Sequence, residues 1–322
     1  MGEKDCRGII KMKKLKACPL CNSKNINFKY KNWDKNLGIK KYFNLYSCKE
    51  CNCIFLNSLP SKEEISSFYP KDKYYSLGKI DRNSKKTKFK ILMYNIFFNP
   101  NQKNFLLKII FSPFLFIIRG TKVMNKIKLL DVGSGSGQFL YEMKKLGLDV
   151  YGLEPGNFNE TESKKESLRI EKSTLEKTKY KKESFDLITL NHVLEHLENP
   201  LSTLSKIKTF LKKEGVFIVG VPNSRSLAHF LFRKNWYQLD IPRHLINYSD
   251  ENLIYTLKKA GFKVKRVRYN SRPSQFSVSL KYLLGFKDKR IEKILELIFL
   301  PLTWVVNALK VGDQIEVWCE KN

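Results

Sequence analysis

KLLDVGSGSGQ, residues Lys128–Gln138, is the stretch that decides the fold of this chain. It overlaps an apolar run, Ile127–Val132, that predicts a short buried strand. Three glycines stand at alternate positions after this run: Gly133, Gly135 and Gly137. The amphipathic stretch Phe139–Leu146 then predicts a helix. Because glycine adopts left-handed backbone angles and leaves the main chain bare, such a loop can turn sharply and hold a ligand against its N–H groups.

The next predicted strand ends in an acid at the place where a nucleoside would need one. Leu148–Leu153 is apolar and is followed by Glu154. In nucleotide-binding sheets, a carboxylate at the end of the second strand accepts hydrogen bonds from ribose hydroxyls. A dinucleotide fingerprint would need glycine where Gln138 stands, so the loop favours a different nucleoside cofactor. The alternative is an ordinary strand-to-helix turn whose glycines serve only the bend.

Strand and helix patterns alternate further along the chain. Phe185–Leu190 and Val216–Val221 are apolar runs of strand length, and Leu201–Leu211 between them has apolar residues at helical spacing. This alternation predicts an α/β fold with a parallel sheet that helices cover on both faces. The polar residues Asn191 and His192 follow one strand directly, at the sheet edge where open α/β sheets bind ligands.

Four successive segments, LLDVGSGSG, VYGLEPG, SFDLITLNHVLEHL and LLKKEGVFIVGVPN, resemble the motifs of class I S-adenosylmethionine-dependent methyltransferases. The resemblance covers residues 126–322 and implies a Rossmann-like sheet with an antiparallel edge hairpin, here Phe262–Tyr269 and Gly312–Cys319. A helical insertion is expected at about 271–311. The motif match to this family also implies which positions bind S-adenosylmethionine. They are Asp131, Gly133, Gly135, Gly137, Glu154, Thr174, Leu175, Asn191 and His192.

Cysteine spacing predicts a zinc-ribbon-like module in residues 1–70. Two C-x-x-C pairs have 26 residues between them, and four thiolates from two such pairs can complete a tetrahedral zinc site. The four cysteines are Cys18, Cys21, Cys48 and Cys51. The gap exceeds the usual range of about 15–20 residues, Cys53 could replace Cys51, and free thiols or redox pairs are the alternative. A closed site favours structural zinc, and abundant thiols favour a reducing cytoplasm.

The N-terminal segments CPLC, YSCKECNCIFLNSLPS and FYPKDKYYS resemble the zinc-binding domain of bacterial and archaeal sugar methyltransferases. The resemblance implies an acceptor that is a sugar, a nucleotide sugar or a precursor in surface-polysaccharide biosynthesis. It also implies that Tyr69, Tyr74 and Tyr75 approach that substrate. Packing at a domain junction is the other interpretation of these tyrosines. Residues 71–125 are interpreted as a helical, basic linker region.

Methyl transfer can require a base that removes a proton from the acceptor, and histidine is the commonest base. In the sugar C-methyltransferases, the histidine of a Glu-His pair is the proposed base. The corresponding pair here is Arg243-His244, so the resemblance gives His244 as base or orienter without distinguishing carbon, oxygen or nitrogen acceptors. Asp240 and Arg243 are predicted substrate contacts, since arginine binds phosphate and carboxylate groups. His192 and His196 are further candidates, of which His196 is interpreted as structural.

The charge of the chain raises the possibility of a nucleic-acid substrate. The 322 residues include 60 Lys and Arg and 31 Asp and Glu, for a formal net charge of +29. Lysine is spread along the chain, however, and neither an N-P-P-Y nor a D-P-P-Y motif follows the fourth strand, which disfavours an RNA methyltransferase. A basic surface also suits an acidic small molecule. A non-catalytic binding protein is disfavoured because the glycine loop and Glu154 are intact.

Two apolar segments stand outside these motifs. Tyr94–Ile118 and Ile291–Leu309 are rich in apolar and aromatic residues but contain prolines and charges. Neither reaches the ~20 uninterrupted apolar residues of a membrane span. We interpret both as helices buried on one face, in the core or in a dimer. A membrane-surface contact through Leu297–Val306 is the alternative, and the sequence does not indicate an oligomeric state.

Overall fold

Two sheets and eleven α-helices organise the part of the chain that the structure, a computed structural model, describes: residues 14–69 and 79–322. The strands are β1 (Ile26–Asp34), β2 (Ile39–Cys48), β3 (Ile54–Leu56), β4 (Lys128–Val132), β5 (Asp149–Leu153), β6 (Arg169–Glu171), β7 (Phe185–Asn191), β8 (Leu211–Pro222), β9 (Ile246–Asn247), β10 (Phe262–Tyr269) and β11 (Gln314–Lys321). The helices are α1 (Lys62–Ser67), α2 (Lys85–Phe98), α3 (Phe105–Phe111), α4 (Gln138–Lys145), α5 (Glu160–Lys165), α6 (Pro200–Phe210), α7 (Leu227–Phe232), α8 (Asp250–Lys259), α9 (Ser274–Leu284), α10 (Lys289–Ile298) and α11 (Leu300–Ala308).

The larger sheet confirms the predicted α/β fold. Its strand order is β10-β11-β8-β7-β4-β5-β6. The pairs β4–β5, β4–β7, β5–β6 and β7–β8 are parallel, whereas β11 runs antiparallel to both β8 and β10. The antiparallel edge hairpin is therefore present. Parallel strands connected by helices place the carboxyl ends of β4, β5 and β7 at one edge of the sheet.

Two strands of the larger sheet, β6 and β8, depart most from the sequence prediction. The short strand β6 was not predicted, because its three residues are half-exposed or exposed and carry no apolar run. Strand β8 begins at Leu211 rather than at Val216. Phe185 pairs with Leu211 and Leu187 pairs with Val216, so the residues around Gly215 form an irregularity within the strand rather than a break before it.

The smaller sheet joins the N-terminal cysteine segment to the C-terminal half of the chain. Its order is β1-β2-β3-β9, and all its pairs are antiparallel. The strand β9 lies about 190 residues after β3, and Ile54 pairs with Asn247. Side chains of both sheets, such as Phe55 of β3 and Leu190 of β7, belong to one continuous apolar core. The cysteine segment is therefore packed against the larger sheet.

The helical insertion contains α9, α10 and α11. The interpretation of the two apolar segments as helices buried on one face is correct for α2, where Met93, Tyr94 and Ile96 are buried. It is wrong for α3 and α10, neither of which has a buried residue, because their apolar side chains point outward. Among residues 14–69 and 79–322, no helix is long and apolar enough to cross a membrane.

Candidate active site

The glycine loop turns tightly between β4 and α4. Gly133, Gly135 and Gly137 have φ angles of +74°, +55° and +82°, in the left-handed region that favours glycine. The N–H groups of Gly133 and Ser134 both donate to the carbonyl oxygen of Leu153, at 2.8 and 3.0 Å. These bonds hold the loop against the end of β5.

Space around the loop also demands glycine. A Cβ atom on Gly133 would lie 2.3 Å from Cγ2 of Val193, and one on Gly137 would lie 2.8 Å from Cδ1 of Ile170. Ser134 Oγ is buried and has no hydrogen-bond partner within the described residues. A cradle without side chains and an unsatisfied buried hydroxyl fit a ligand that lies against the main chain.

The carboxylate of Glu154 lies beside this loop. Its Oε2 accepts a hydrogen bond from Gly135 N–H and its Oε1 accepts one from Gly156 N–H, each at 2.8 Å. The side chain is half-exposed. The arrangement puts a solvent-accessible acid at the end of the second parallel strand, next to bare backbone. These residues fit a nucleoside such as S-adenosylmethionine.

Asp131 has a different environment from Glu154. It is buried, its Oδ2 accepts a hydrogen bond from Arg119 at 2.6 Å, and its Oδ1 accepts one from the hydroxyl of Thr189 at 2.6 Å. Burial raises the pKa of this carboxyl above its ordinary value, although Arg119 opposes the rise. Asp131 thus joins β4 to β7 and to Arg119, and its contact with a cofactor stays a prediction.

The other predicted cofactor positions lie in two places. Thr174 and Leu175 belong to the turn after β6, where the Leu175 side chain is buried in the core and the Thr174 carbonyl accepts from Lys177 N–H. Asn191 and His192 lie at the end of β7 and line a cavity. His192 has a φ of +55°, a strained angle for a residue with a side chain and one that clusters at functional sites.

This cavity of about 780 Å³ brings several predicted residues together. Asn191, His192, Asp240 and His244 line it, next to Gln138 at the start of α4. One part of its wall is polar and includes Gln238, Asn270, Arg272 and Gln314. Another part is apolar and consists of Tyr94, Phe116, Ile117, Ile118, Phe139 and Val278. A ligand with one polar and one apolar end would fit such a wall.

Glu195 is a site residue that the sequence did not reveal. It is fully buried, and its Oε1 lies 3.1 Å from Nδ1 of His192. Burial would raise the pKa of Glu195, but the hydrogen bond from His192 and the nearby histidines lower it to about 2. The ionised carboxylate accepts a hydrogen bond from the Nδ1–H group of His192, and in that tautomer of the neutral ring Nε2 is an acceptor. The only sequence signal was an acid three residues after a histidine.

His244 lies deeper than His192. It is 4% exposed, its Nδ1–H donates to the carbonyl of Gln238 at 2.8 Å, and its Nε2 lies 3.9 Å from Glu195 and 3.8 Å from Asp240. Burial, together with the neighbouring His196, lowers the pKa of His244 to about 4. The ring is therefore neutral at neutral pH and is a weaker base than an exposed histidine.

His196, interpreted from the sequence as structural, is half-buried and contacts the protein through both Arg243 and Tyr69. Its Nδ1 lies 2.9 Å from the carbonyl oxygen of Arg243 and 3.2 Å from the hydroxyl of Tyr69, and its ring centre is 4.8 Å from that of His244. Glu195, His196 and His244 also form a group whose ligand atoms lie within 4.8 Å of one another. Two further predicted substrate contacts, Tyr74 and Tyr75, lie outside the described residues.

The buried side chain of Arg243 forms hydrogen bonds to other groups of the protein with every N–H of its guanidinium. Its guanidinium makes five hydrogen bonds, two to Asp34, two to Asp240 and one to the carbonyl of Phe68, and the side chain is 1% exposed. No donor is left for a substrate, so the predicted direct contact is replaced by an internal one. Arg243 holds Asp240 at the cavity and ties it to β1.

The four predicted zinc ligands converge. Their Sγ atoms lie within 4.8 Å of one another, with 3.5 Å between Cys18 and Cys51 and 3.5 Å between Cys21 and Cys48. Four thiols at this separation fit a tetrahedral zinc ion. Cys53 is buried beside the group, and its thiol donates to the carbonyl of Ile54.

The methyltransferase domain family matches residues 93–267, which is just over half of the chain. The chain belongs to this family. It is an S-adenosylmethionine-dependent methyltransferase with the class I fold, as the order of its strands and motifs indicated.

Several curated proteins are similar to this methyltransferase. A "ubiquinone biosynthesis O-methyltransferase" of Pelagibacter ubique is 25% identical over 209 residues, which are 59% of this chain and 86% of that protein. An enzyme of the same name from Actinobacillus pleuropneumoniae is 33% identical over 115 residues, or 32% of this chain and 49% of that one. An uncharacterized protein of Methanocaldococcus jannaschii is 27% identical over 135 residues, which are 42% of this chain and 63% of that protein. This chain thus spans less than two thirds of the latter two.

Solved structures are similar at lower identity. An S-adenosylmethionine-dependent methyltransferase of Thermotoga maritima, described as a possible histamine N-methyltransferase, is 21% identical with a TM-score of 0.43, over 62% of this chain and 84% of that one. The 1,6-didemethyltoxoflavin N1-methyltransferase of Burkholderia thailandensis is 12% identical with a TM-score of 0.47, over 91% and 99%.

Proposed function

We propose that this methyltransferase methylates an oxygen atom of a small hydroxylated acceptor, with a sugar or sugar-linked precursor as the first choice. The observation that supports it is one cavity that holds His192, Asp240 and His244 together beside the start of α4. S-adenosylmethionine supplies an electrophilic methyl group on a positively charged sulfur. The protein must then position the acceptor and remove its proton.

In this proposal the cofactor is held by main chain on one side and by an acid on the other. The backbone of residues 133–137 would lie against it, and Glu154, now bonded to Gly135 and Gly156, would accept hydrogen bonds from the ribose hydroxyls. The turn that contains Thr174 and Leu175 would flank the adenine, with the Leu175 side chain in the core behind it, and Asn191 would bind toward the methionine end. Asp131 supports the loop through Arg119 and Thr189.

We assign proton removal to His192 with Glu195 behind it. Nδ1 of His192 donates to the buried carboxylate, so Nε2 can accept the hydroxyl proton of the acceptor. The ionised Glu195, 3.1 Å from Nδ1 of His192, stabilises the imidazolium that forms. His244, whose pKa burial lowers to about 4, orients the acceptor together with Asp240. Arg243 acts as a positioning residue for Asp240.

Two observations support an oxygen acceptor. The polar part of the cavity wall offers carboxylate, amide and imidazole groups that suit several hydroxyls. The names of two similar proteins describe O-methyltransferases. We choose a sugar-linked acceptor because the N-terminal segments resemble those of sugar methyltransferases. For the cysteine group we propose a structural zinc ion held by Cys18, Cys21, Cys48 and Cys51.

Calorimetry with S-adenosylmethionine tests the cofactor site. Gly133→Ala should weaken binding at least about tenfold, because the added methyl group meets Val193 and forces the loop to move. Gly38→Ala is the matched control: Gly38 has the same φ of +74° but no atom within 4 Å of its added Cβ. It should therefore suffer the same backbone strain without any effect on the cofactor. Equal affinities of the two variants, or no binding by the native chain, would overturn the proposal.

A further inference from the structure

Two helices far apart in sequence present apolar side chains to solvent. In α3, Phe105, Leu106, Ile109 and Ile110 are between 52% and 71% exposed. In α10, Ile291, Ile294, Leu297 and Ile298 are between 43% and 73% exposed. Because soluble surfaces expose apolar residues singly, two whole helix faces of this kind indicate an interaction surface.

The two helices belong to one region of the surface. The indole N–H of Trp304, in α11, donates to the carbonyl of Pro113 at 2.8 Å. Pro113 lies in the 3-10 turn Ser112–Ile117 that continues directly from α3, and α11 follows α10 after one residue. The exposed residues named above on α3 and α10, together with Trp304 and Val305 of α11, are called the apolar face. Tryptophan with a satisfied N–H is typical of residues at a membrane interface.

Positive charges accompany the apolar face on the α3 side. Lys103 precedes α3 and Lys108 lies within it, and residues 82–130 contain no Asp or Glu, while Arg82, Lys90 and Arg119 of this range pair with acids elsewhere in the chain. On the other side, Lys289, Arg290 and Lys293 lie on α10 and outnumber its two acids. Glu292 pairs with Lys281 at 2.8 Å, Glu296 is half-buried, and Asp288 caps the start of the helix. A second copy of this chain would bring like charges together. An anionic lipid bilayer would neutralise them while it covers the apolar side chains.

The elements that carry the apolar face also build the wall of the active-site cavity. Phe116 and Ile117, at the end of the 3-10 turn, line the cavity, as do Tyr282 of α9 and Glu292 of α10. The outer side of α10 is therefore apolar and exposed, and its inner side contacts the proposed acceptor site. An acceptor anchored in lipid would reach the cavity along this wall.

We propose that the apolar face binds the surface of an anionic phospholipid bilayer, and that the cavity takes an acceptor with a lipid anchor. The second part rests on the proposed function; the first part stands on the surface alone. Apolar side chains at the interface and lysines at its rim then act together, so that binding needs both.

Sedimentation with vesicles tests the bilayer contact. The 322-residue chain should pellet with vesicles of phosphatidylcholine and phosphatidylglycerol, and at least about tenfold less with phosphatidylcholine alone or in high salt. Ile294→Glu combined with Leu297→Glu should lower the partition coefficient at least about tenfold. Phe28→Glu is the matched control, since Phe28 on β1 and Ile294 are both 57% exposed. It should pellet like the native chain.

Three results would overturn the bilayer contact. These are absence of pelleting by the native chain, equal pelleting by the double variant, and equal loss in Phe28→Glu. Light scattering that shows a dimer in the native chain and a monomer in the double variant, without vesicle binding, would assign the face to a second copy instead. Calorimetry with S-adenosylmethionine on the same samples separates the two proposals, because the face does not include the cofactor loop.

Discussion

At the scale of single residues, the proposed mechanism depends on Glu195. It is fully buried, yet its pKa is lowered to about 2 because a hydrogen bond from His192 and nearby histidines outweigh burial. Its negative charge favours the His192 tautomer that has hydrogen on Nδ1, in which Nε2 is a hydrogen-bond acceptor. The buried arginine Arg243 plays a comparable part for Asp240. Both residues act by orienting a neighbour that lines the cavity.

His192→Gln should lower the rate of methyl transfer by about 10²–10⁴-fold, because it removes the proton acceptor. The release of S-adenosylhomocysteine measures the rate, with a panel of sugars, nucleotide sugars and phenols as acceptors. Glu195→Gln should show a similar but smaller loss. His229→Gln is the control, since His229 does not line this cavity among the described residues, and it should keep the native rate.

The opposite pattern would reassign the base. If His192→Gln kept the native rate while His244→Ala lost it, His244 would be the proton acceptor despite its low pKa. Calorimetry must show that each variant still binds S-adenosylmethionine, because both histidines lie close to the cofactor positions.

At the scale of elements, the small sheet depends on its cysteines. Cys48 ends β2 and Cys51 lies in the turn before β3, so a shared metal ion would fix the geometry between these strands. β3 in turn pairs with β9, which follows His244 by one residue. A tightly bound ion in the cysteine group would therefore stabilise the chain segment that leads to the cavity.

The purified protein should contain about one zinc ion per chain, as elemental analysis would show. Cys21→Ser should lose most of this zinc, because three thiolates bind far more weakly than four. Cys319→Ser is the matched control: Cys319 is buried in β11, away from the group, and this variant should keep its metal. Cys53→Ser tells whether Cys51 or Cys53 is the fourth ligand: the variant should keep its zinc if Cys51 binds the ion and lose it if Cys53 does. Zinc retained in full by Cys21→Ser, or lost in Cys319→Ser, would contradict the assignment.

At the scale of the whole molecule, buried histidines couple stability to pH. His229 is 6% exposed, its Nδ1–H donates to the carbonyl of Ser224, and its Nε2 accepts from the hydroxyl of Tyr30. Burial lowers the pKa of His229 to about 4, below the ordinary value of 6.5. Between pH 6.5 and pH 4 the unfolded chain therefore binds more protons than the folded chain. As a result, the free energy of unfolding decreases as the pH is lowered through that window. Asp313, whose pKa burial raises to about 7, acts in the opposite direction.

Comparison with His229→Gln isolates the contribution of this histidine. Between pH 7 and pH 5, the free energy of unfolding of the native chain should fall by ~2 kcal/mol more than that of the variant. Above pH 7 the difference between the two should be constant. Urea unfolding at several pH values measures it, and curves that stay parallel from pH 7 to pH 5 would contradict the role of His229.

The sequence predicted those parts of the fold that depend on local pattern. The glycine loop, the alternation of strands and helices, and the grouping of four cysteines follow from spacing within short segments. The pairing of β3 with β9, the position of Glu195 between two histidines, and the bonds of Arg243 to Asp34 could not be predicted. Each depends on which distant segments meet. The sequence left a surface contact through Leu297–Val306 as an alternative, but it did not predict the exposed side of α3, because apolar periodicity does not tell which side of a helix faces the core.

The link between β3 and β9 has a consequence for the evolution of this enzyme. The cysteine segment does not end at a clean boundary: Asn252 donates to the carbonyl of Cys51, and Asn32 donates to the carbonyl of Lys234. Recombination that exchanged the first seventy residues between relatives would break these contacts along with the ion pair between Asp34 and Arg243. An exchange of the cysteine segment is therefore expected to preserve the fold only if its contact residues on the larger part are exchanged with it.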